Sequence, residues 1–457
     1  MKKLALVLVA LLVLALAAAA GTTFYFSRQA EQLATSWPAK IEEAAAGLKA
    51  AAEYQRGFLS STQRMAVTLP GAAAGAPTVV LKSVIHHGPL PAFGTPGLAR
   101  IDTTLELEGE ARKFVATAFG GAEPVTAVTH IALDGSGTTT LTGAPAQFKE
   151  GASTVSWQGF SGTLRFTPRL ETYAGEIVAP RMGLTGLQGG GEIKGIAVKL
   201  DQRRMPGIEG LYLGKMAVTI ERVAVKDDKS DVNAEALVFE SDATNPAAQF
   251  IDVAVRLKAA KVSTRDIEAS GAEYAFSLKH LHAPSFQQLN KAMSQVKPPA
   301  RGAPGAPPDT AALMAQMGEV QKLMKTHGLT LLQNDPVLAI DRIQIKLKEG
   351  ELKASGTLRI PGVTAQDIDN PFTLLPKIDA QAEVTIPEAF ARNQFAQTKL
   401  KQAKARGDVG EAQAVEVAAA SGSEFAQMLG GFVEQGYVES RDGQLTVKAA
   451  FKGGELT

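Results

Sequence analysis

Cysteine is absent from the chain, which excludes structural disulfides, thiolate metal sites and a cysteine nucleophile. Net charge is nearly absent too, with 47 Lys and Arg against 46 Asp and Glu. Nucleic-acid binders usually carry a basic excess or patch, so nucleic acid is not expected as a partner. Aromatic residues are few: 2 Trp and 6 Tyr stand beside 44 Gly and 23 Pro, which points to many turns around a core of small aliphatic side chains. The sequence also lacks the G-x-S-x-G elbow, the H-E-x-x-H metal motif, the P-loop and the dinucleotide fingerprint. No cofactor is expected. Ser294-Gln295-Val296-Lys297 matches S-x-x-K, but without the partner motifs of that enzyme class it is noise.

One long hydrophobic run is present. Leu4 to Phe26 is uncharged and follows Lys2 and Lys3. As a helix it reaches roughly 34 Å, enough to span a hydrocarbon core of about 30 Å. Lysines before the run and Phe24, Tyr25 and Phe26 at its far end fit a cytoplasmic amino terminus and interfacial anchors. The competing assignment is a cleaved secretory signal, with Leu4 to Leu16 as its apolar core and Ala17 to Ala20 as cleavage sites. Because apolar character continues through Phe26, we assign an uncleaved anchor; either assignment exports the residues beyond about 28.

The expected organisation has five parts: 1–27, the membrane anchor or signal; 28–53, an amphipathic stalk helix; 54–283, an antiparallel β region; 284–327, a helical pair with a Pro-rich connector; and 328–457, β-hairpins and C-terminal helices completing the same body. The stalk rests on Leu33, Trp37, Ile41, Leu48 and Ala52 at helical steps. The β region rests on alternation, as in Ile101, Thr103, Leu105 and Leu107, in Met216, Val218 and Ile220, and in Tyr274, Phe276 and Leu278. After Ile220 the apolar positions resume one residue out of phase at Val223 and Val225, which predicts a bulge at Glu221-Arg222. Asp134-Gly135-Ser136-Gly137 and Gly189 to Gly191 read as hairpin turns.

Phe286, Leu289, Met293 and Val296 mark one insertion helix, and Leu313, Met317, Val320 and Met324 a second. Lys297 to Asp309 holds five prolines and reads as an exposed connector. Asp341 to Lys348 puts Ile343, Ile345 and Leu347 on one side, and Lys348-Glu349-Gly350 reads as a three-residue hairpin loop. A strand through Ala382, Val384 and Ile386, a helical stretch ending at Phe425, Met428, Leu429 and Phe432, and a last hairpin around Asp442-Gly443 follow. The expected fold class is therefore α+β: a large, mainly antiparallel curved sheet with packed helices, preceded by one transmembrane helix.

Three segments resemble the YdgA-like family of bacterial envelope proteins, whose biochemical function is uncharacterised. Tyr54-Gln55-Arg56-Gly57-Phe58-Leu59-Ser60-Ser61 resembles its Y-x-R-G-x-x-S-S segment, and His87-Gly88-Pro89-Leu90-Pro91 its H-G-P-x-P segment. The closing Gly443-Gln444-Leu445 strand and Gly453 to Thr457 are similar to its terminal hairpin. The resemblance implies a single-pass protein of the bacterial inner membrane with its bulk in the periplasm. The membrane, a lipid or envelope protein, and another copy of the chain are the partners to expect.

The candidate functional motif comprises Arg56, Gly57, Ser60, Ser61, His87, Gly88 and Pro89. Arg56 suits a carboxylate or lipid phosphate, although a bulged strand with a structural Arg explains it as well. His86 and His87 are neighbours on a strand and point to opposite faces. His280 and His282 share a face but lack a third ligand nearby, so no metal is expected. Leu313, Met314, Met317, Val320 and Met324 form a candidate apolar lid, since methionine makes an adaptable surface. The sequence favours a non-enzymatic envelope protein that binds lipid or protein through an apolar sheet face or groove. The alternative is an uncommon periplasmic hydrolase with His87 as base and Arg56 or Ser60 nearby.

Overall fold

The structure, a computed structural model, describes residues 49–57, 60–68, 79–88, 90–107, 109–186, 189–208, 210–227, 231–265, 268–294, 310–405 and 411–457. The Leu4 to Phe26 run, most of the expected stalk, Pro89 and the Pro-rich connector lie outside them. Among the described residues no helix is long and apolar enough to cross a membrane. The fold is α+β, with antiparallel strands and a few helices, and it divides into two units.

Unit 1 holds the chain through Asp231, with Glu240–Ile251 and His282–Leu331. Its strands are β1 (Lys49–Gln55), β2 (Ser60–Thr68), β3 (Val79–His87), β4 (Ala99–Glu106), β5 (Val125–Ile131), β6 (Gly137–Gly143), β7 (Ala146–Glu150), β8 (Ser153–Trp157), β9 (Phe160–Phe166), β10 (Thr172–Gly186), β11 (Gly189–Arg204) and β12 (Tyr212–Asp227). Antiparallel pairing runs β1–β2–β3–β4–β5–β6–β9–β10–β11–β12. The β7–β8 hairpin sits between β6 and β9 in sequence, and β8 also pairs with β10.

The first strand corrects the expected stalk boundary. Residues 49–53 belong to β1, because Ala50, Ala52 and Tyr54 alternate onto the core. That period of two prevails over the weaker helical spacing of Leu48 and Ala52. A helix not among the expected elements, α1 (Gly109–Ala118), lies between β4 and β5. Val115, Ala118 and Phe119 are buried with Ile85, Ile101, Leu105, Val125 and Ile131 in the main core of this unit. The expected turn at Asp134 forms as drawn: its carboxylate accepts from the Ser136 N–H (2.9 Å) and hydroxyl (2.7 Å), joining β5 to β6. The second insertion helix, α3 (Thr310–Leu323), continues through a π turn at Met324–Gly328 into α4 (Leu329–Leu332), past the expected boundary at 327. The first insertion helix is α2 (Ala283–Ser294).

Strands β10, β11 and β12 run for 15 or 16 residues. The ladder of β12 breaks at the expected place, but not as the expected bulge: one residue drops out of each strand, the register is unshifted, and the break extends across all three strands. Ile220 pairs with Ile196 and Arg222 with Lys194, and Glu221 and Gly195 drop out of the ladder between them. On β10, Pro180 is skipped in the same row. Gly195 has φ +64, where a Cβ would also press on the Glu221 side chain. Glu221 and Arg222 are both exposed, and Glu221 pairs with Lys194 at 2.7 Å. Two successive residues therefore face the charged side, and the apolar residues on either flank stay on one face.

Unit 2 holds Val232–Phe239, Asp252–Leu281 and Leu332–Thr457. Strands β13 (Asp231–Ala247), β14 (Phe250–Ala259) and β16 (Glu268–His282) contribute residues to both units, and β15 (Lys261–Ser263) pairs with β13 and β16. The order then continues antiparallel from β16 through β17 (Val337–Leu347), β18 (Gly350–Arg359) and β19 (Asp379–Pro387) to β21 (Gln444–Lys452). Short strands β20 (Glu439–Arg441) and β22 (Glu455–Leu456) pair with β21. The hairpin at Lys348 is tighter than expected: Leu347 pairs with Gly350, so the loop has two residues, with Gly350 at φ +136. Asp442 and Gly443 both have positive φ, which matches the strand twist in a two-residue turn. Helices α6 (Glu388–Ala405) and α7 (Glu411–Glu434) pack together through Phe395 and the buried Phe425, ring centroids 5.7 Å apart.

Between β18 and β19 the chain forms α5 (Ala365–Asp369) and a 3-10 turn, Pro371–Lys377. Buried Asp367 organises this loop. It accepts from the Thr364 N–H (2.6 Å) and hydroxyl (2.8 Å), the Thr373 hydroxyl (2.7 Å) and the Lys377 ammonium (2.5 Å). Hydrogen bonds to the charged form, led by Lys377, hold its carboxyl well below the usual aspartate range. A depressed folded pKa gives stability that is complete above the unfolded value near 3.9 and is lost as the pH falls from there. Melting curves from pH 7 to 2 are expected to show this acid-sensitive limb in the native chain. They should show a lower, flatter profile in Asp367→Asn.

Candidate functional site

The two motif segments meet at one end of β2 and β3, where Ser60 pairs with His86 and Ser61 with Ile85. Strand parity then sorts the doubled Ser-Ser and His-His onto opposite faces, one Ser and one His to each. On the core side Ser61 Oγ lies 3.1 Å from His87 Nε2 and accepts from the Gly57 N–H at 3.4 Å. On the other side His86 Nε2 lies 3.3 Å from Asp102, which also accepts from Arg100 Nε at 3.0 Å. The structure thus brings His87 together with Ser61 and places Ser60 on the opposite face.

The glycines of these segments have steric reasons. A Cβ on Gly57 would stand 2.0 Å from the Ser60 carbonyl oxygen, and one on Gly88 2.2 Å from that of Gly97. Gly88 donates its N–H to Leu98 at 2.7 Å, which folds the loop after β3 back onto the start of β4. Arg56 is exposed just past β1, and Pro89 is outside the described residues.

A nucleophile has to be reached by its substrate, and Ser61 is only 3% exposed. The Ser61–His87 contact therefore serves as a tie between the first turn and the end of β3. Ser61→Ala is expected to lower stability by about 1 kcal/mol, read from urea unfolding. A polar row continues along the core side, with Ser83 bonded to Thr103 (2.8 Å) and buried Thr129 to buried Thr139 (2.9 Å). Beside it Gln63 is 4% exposed, and its Nε2 has no partner among the described residues. Adjacent β-strand polar residues carried no motif, so the sequence did not single this row out.

His280 and His282 are held separately. His280 has φ +59 and meets the Asn334 carbonyl at 2.7 Å, whereas His282 meets the Ser285 hydroxyl at 2.8 Å. Among the described residues no group of three or more His, Asp or Glu is placed to hold a metal ion.

Of the expected lid, Met314 and Met317 are about two-thirds exposed, Val320 and Met324 are half-buried, and the side chain of Leu313 is outside the described residues. Met324 turns back against Gly328 in the π turn. Among the described side chains of this stripe, Met314 and Met317 present the open apolar surface.

Each unit carries a broad apolar sheet face. In unit 1, cross-strand rows join Val218, Val198 and Ile177; Ile220, Ile196 and Ala179; and, past the interruption, Val223, Ile193 and Met182. The row beyond ends in Val225 and Leu184, 41% and 42% exposed. At about 3.3 Å per residue, the stripe from Met216 to Val225 is roughly 30 Å long. In unit 2, Leu278, Leu338 and Leu358 form one row, and Tyr274, Ile343 and Ala354 another. A bulge keeps them together, because Asp341 and Arg342 are both exposed between Ile340 and Ile343. Large and small residues are inverted about this sheet. Tyr274, Ile340 and Leu338 are 37–40% exposed, whereas Ala275, Ser277 and Ala339 are buried.

An antiparallel-sheet α+β protein with open apolar faces, and with its Ser/His pairs absorbed into strand ends, is the class that these features define. The chain belongs to DUF945, described as bacterial protein of unknown function, whose family model matches residues 1–457. No curated protein and no solved structure matches it.

Proposed function

We propose that this is a YdgA-like envelope protein, held in the bacterial inner membrane by the Leu4 to Phe26 run, with its bulk in the periplasm. It binds the acyl chains of a lipid along its apolar sheet faces and catalyses no reaction. The observation that carries this is the inversion in unit 2, where Tyr274, Leu338 and Ile340 stay open while Ala275, Ser277 and Ala339 are buried. Folding driven by apolar burial alone would place the larger side chains inside, since stabilisation scales with the apolar area removed from water. An open face of this kind marks an interaction surface.

The stripe across β10 to β12 supports the same reading, because the interruption at Pro180, Gly195 and Glu221 keeps it on one face. Lipid fits better than a protein partner here: the rows are aliphatic, with few polar groups to fix a specific register. A hydrolase using His87 has the Ser61 contact in its favour, and the burial of Ser61 against it. The test is photocrosslinking of the full chain in bacterial membranes. A photoreactive residue at Val218 is expected to yield adducts of phospholipid mass, and one at Thr219, on the opposite face, none. Equal yields at both positions, or protein adducts alone, would overturn the proposal.

A further inference from the structure

The loop between β18 and β19 shows a combination not used by the sheet faces. Phe372 is 80% exposed and Leu375 47%, although both sit on a 3-10 turn whose backbone is held by the Asp367 knot. An aromatic ring left open on a firmly held turn costs little further ordering when it is buried elsewhere. Prolines at the start of the turn and at Pro376 restrict the backbone further.

Within the turn Pro371–Lys377 the only ionisable side chain is Lys377, and it and the nearby Arg359 are each paired. Lys377 is bound to Asp367 at 2.5 Å, and Arg359 to Asp379 at 2.6 Å. What the turn presents outward is therefore apolar. Pro376 lies against Gly454 of the closing hairpin, where Leu456, 73% exposed, pairs with Phe451. This end of unit 2 thus gathers three exposed apolar side chains.

We propose that the turn Pro371–Lys377 is a wedge that enters the outer region of a lipid bilayer through Phe372 and Leu375. A bilayer suits the paired charges, because partitioning to the interface rewards apolar and aromatic side chains and penalises unpaired charge. A protein groove would instead be expected to meet polar groups available for pairing at its rim. The wedge goes beyond the lipid-binding reading and does not require it, since it lies on a turn and not on the sheet face.

The absence of cysteine makes the test clean. Full-length Phe372→Cys, and in parallel Leu375→Cys, is labelled with an environment-sensitive fluorophore and reconstituted in phosphatidylethanolamine–phosphatidylglycerol vesicles. Glu349→Cys, on the turn at the opposite end of β17 and β18, is the control, and unchanged melting curves confirm folding. The expected result is a blue shift at 372 or 375, with emission lost when lipids carry a nitroxide on the acyl chain, and no change at 349. Unquenched emission at both wedge positions would overturn the proposal. So would quenching equal to that at 349, or a blue shift already present without vesicles, which would mean that the chain or a second copy covers the turn. Because lipid adducts at Val218 are read independently, failure here leaves the sheet-face proposal standing, and the reverse holds.

Discussion

Ile85→Ala is expected to destabilise the protein by about 2–5 kcal/mol, the usual range for removing a large aliphatic side chain from a packed core. Ile85 is 1% exposed and packs in the cluster with Ile101, Ile131 and Val115, so the vacated space has rigid walls. Val218→Ala is expected to cost less, about 1 kcal/mol, because the side chain is smaller than that of Ile85 and keeps partial access to water. Denaturation followed by the fluorescence of Trp157, which packs on the same core, measures both. The comparison separates a core from an open face: equal losses would mean that the stripe on β10 to β12 is ordinary interior.

Val198→Asp is expected to weaken lipid capture by about tenfold or more while the protein stays folded. Val198 lies between Val218 and Ile177 in the middle of the stripe. A carboxylate set against an acyl chain loses its hydration without gaining a partner, a cost of several kcal/mol. Each 1.4 kcal/mol is tenfold in affinity, so adduct yield from a photoreactive residue at Val218 should fall by about tenfold or more. Far-UV circular dichroism should keep its β signature, since position 198 is partly exposed and a carboxylate there keeps some access to water in the unliganded protein. Undiminished adducts would show that lipid, if captured, does not lie along this row. The same substitution at Thr219, on the other face, should leave capture unchanged.

The strands were legible where alternation was strict. Ile101 and Leu105 on β4, Met216 to Ile220 on β12 and Leu445 to Phe451 on β21 fall on strands as the period of two requires. The phase slip after Ile220 revealed an interruption, but not that β10 and β11 share it, since partners across a ladder are not spelled in one strand. A matching slip, Ile340-Asp341-Arg342-Ile343, repeats the order aliphatic, acid, Arg, aliphatic of Ile220-Glu221-Arg222-Val223. It passed unnoticed because the expected strand began at Asp341. Helix α1 was missed between strong strand signals, although Phe114, Val115, Ala118 and Phe119 recur at helical spacing.

The candidate site was half legible. Adjacent histidines told that the pair would be split between faces, but only the register decides which Ser meets His87. The Asp367 knot shows a second limit. Thr364 and Asp367 form a recognisable capping box, yet Thr373 and Lys377 reach the same carboxylate only once the turn has closed. Exposure is the least legible property of all: Tyr274 and Ile340 alternate as core residues do, and the structure leaves them open.

The paired exposed residues that interrupt the apolar strips carry a consequence for solubility. Long, half-open, aliphatic strands are the raw material of stacked aggregates, in which flat sheets interlock side chain to side chain. At Glu221-Arg222 and Asp341-Arg342 each strip is broken by two neighbouring charges on its reverse side, and at Asp341-Arg342 the break is a bulge, which sharpens the local twist. Two copies cannot lay such warped strips flat against each other over their whole length, whereas a pliable hydrocarbon tail can follow the bend.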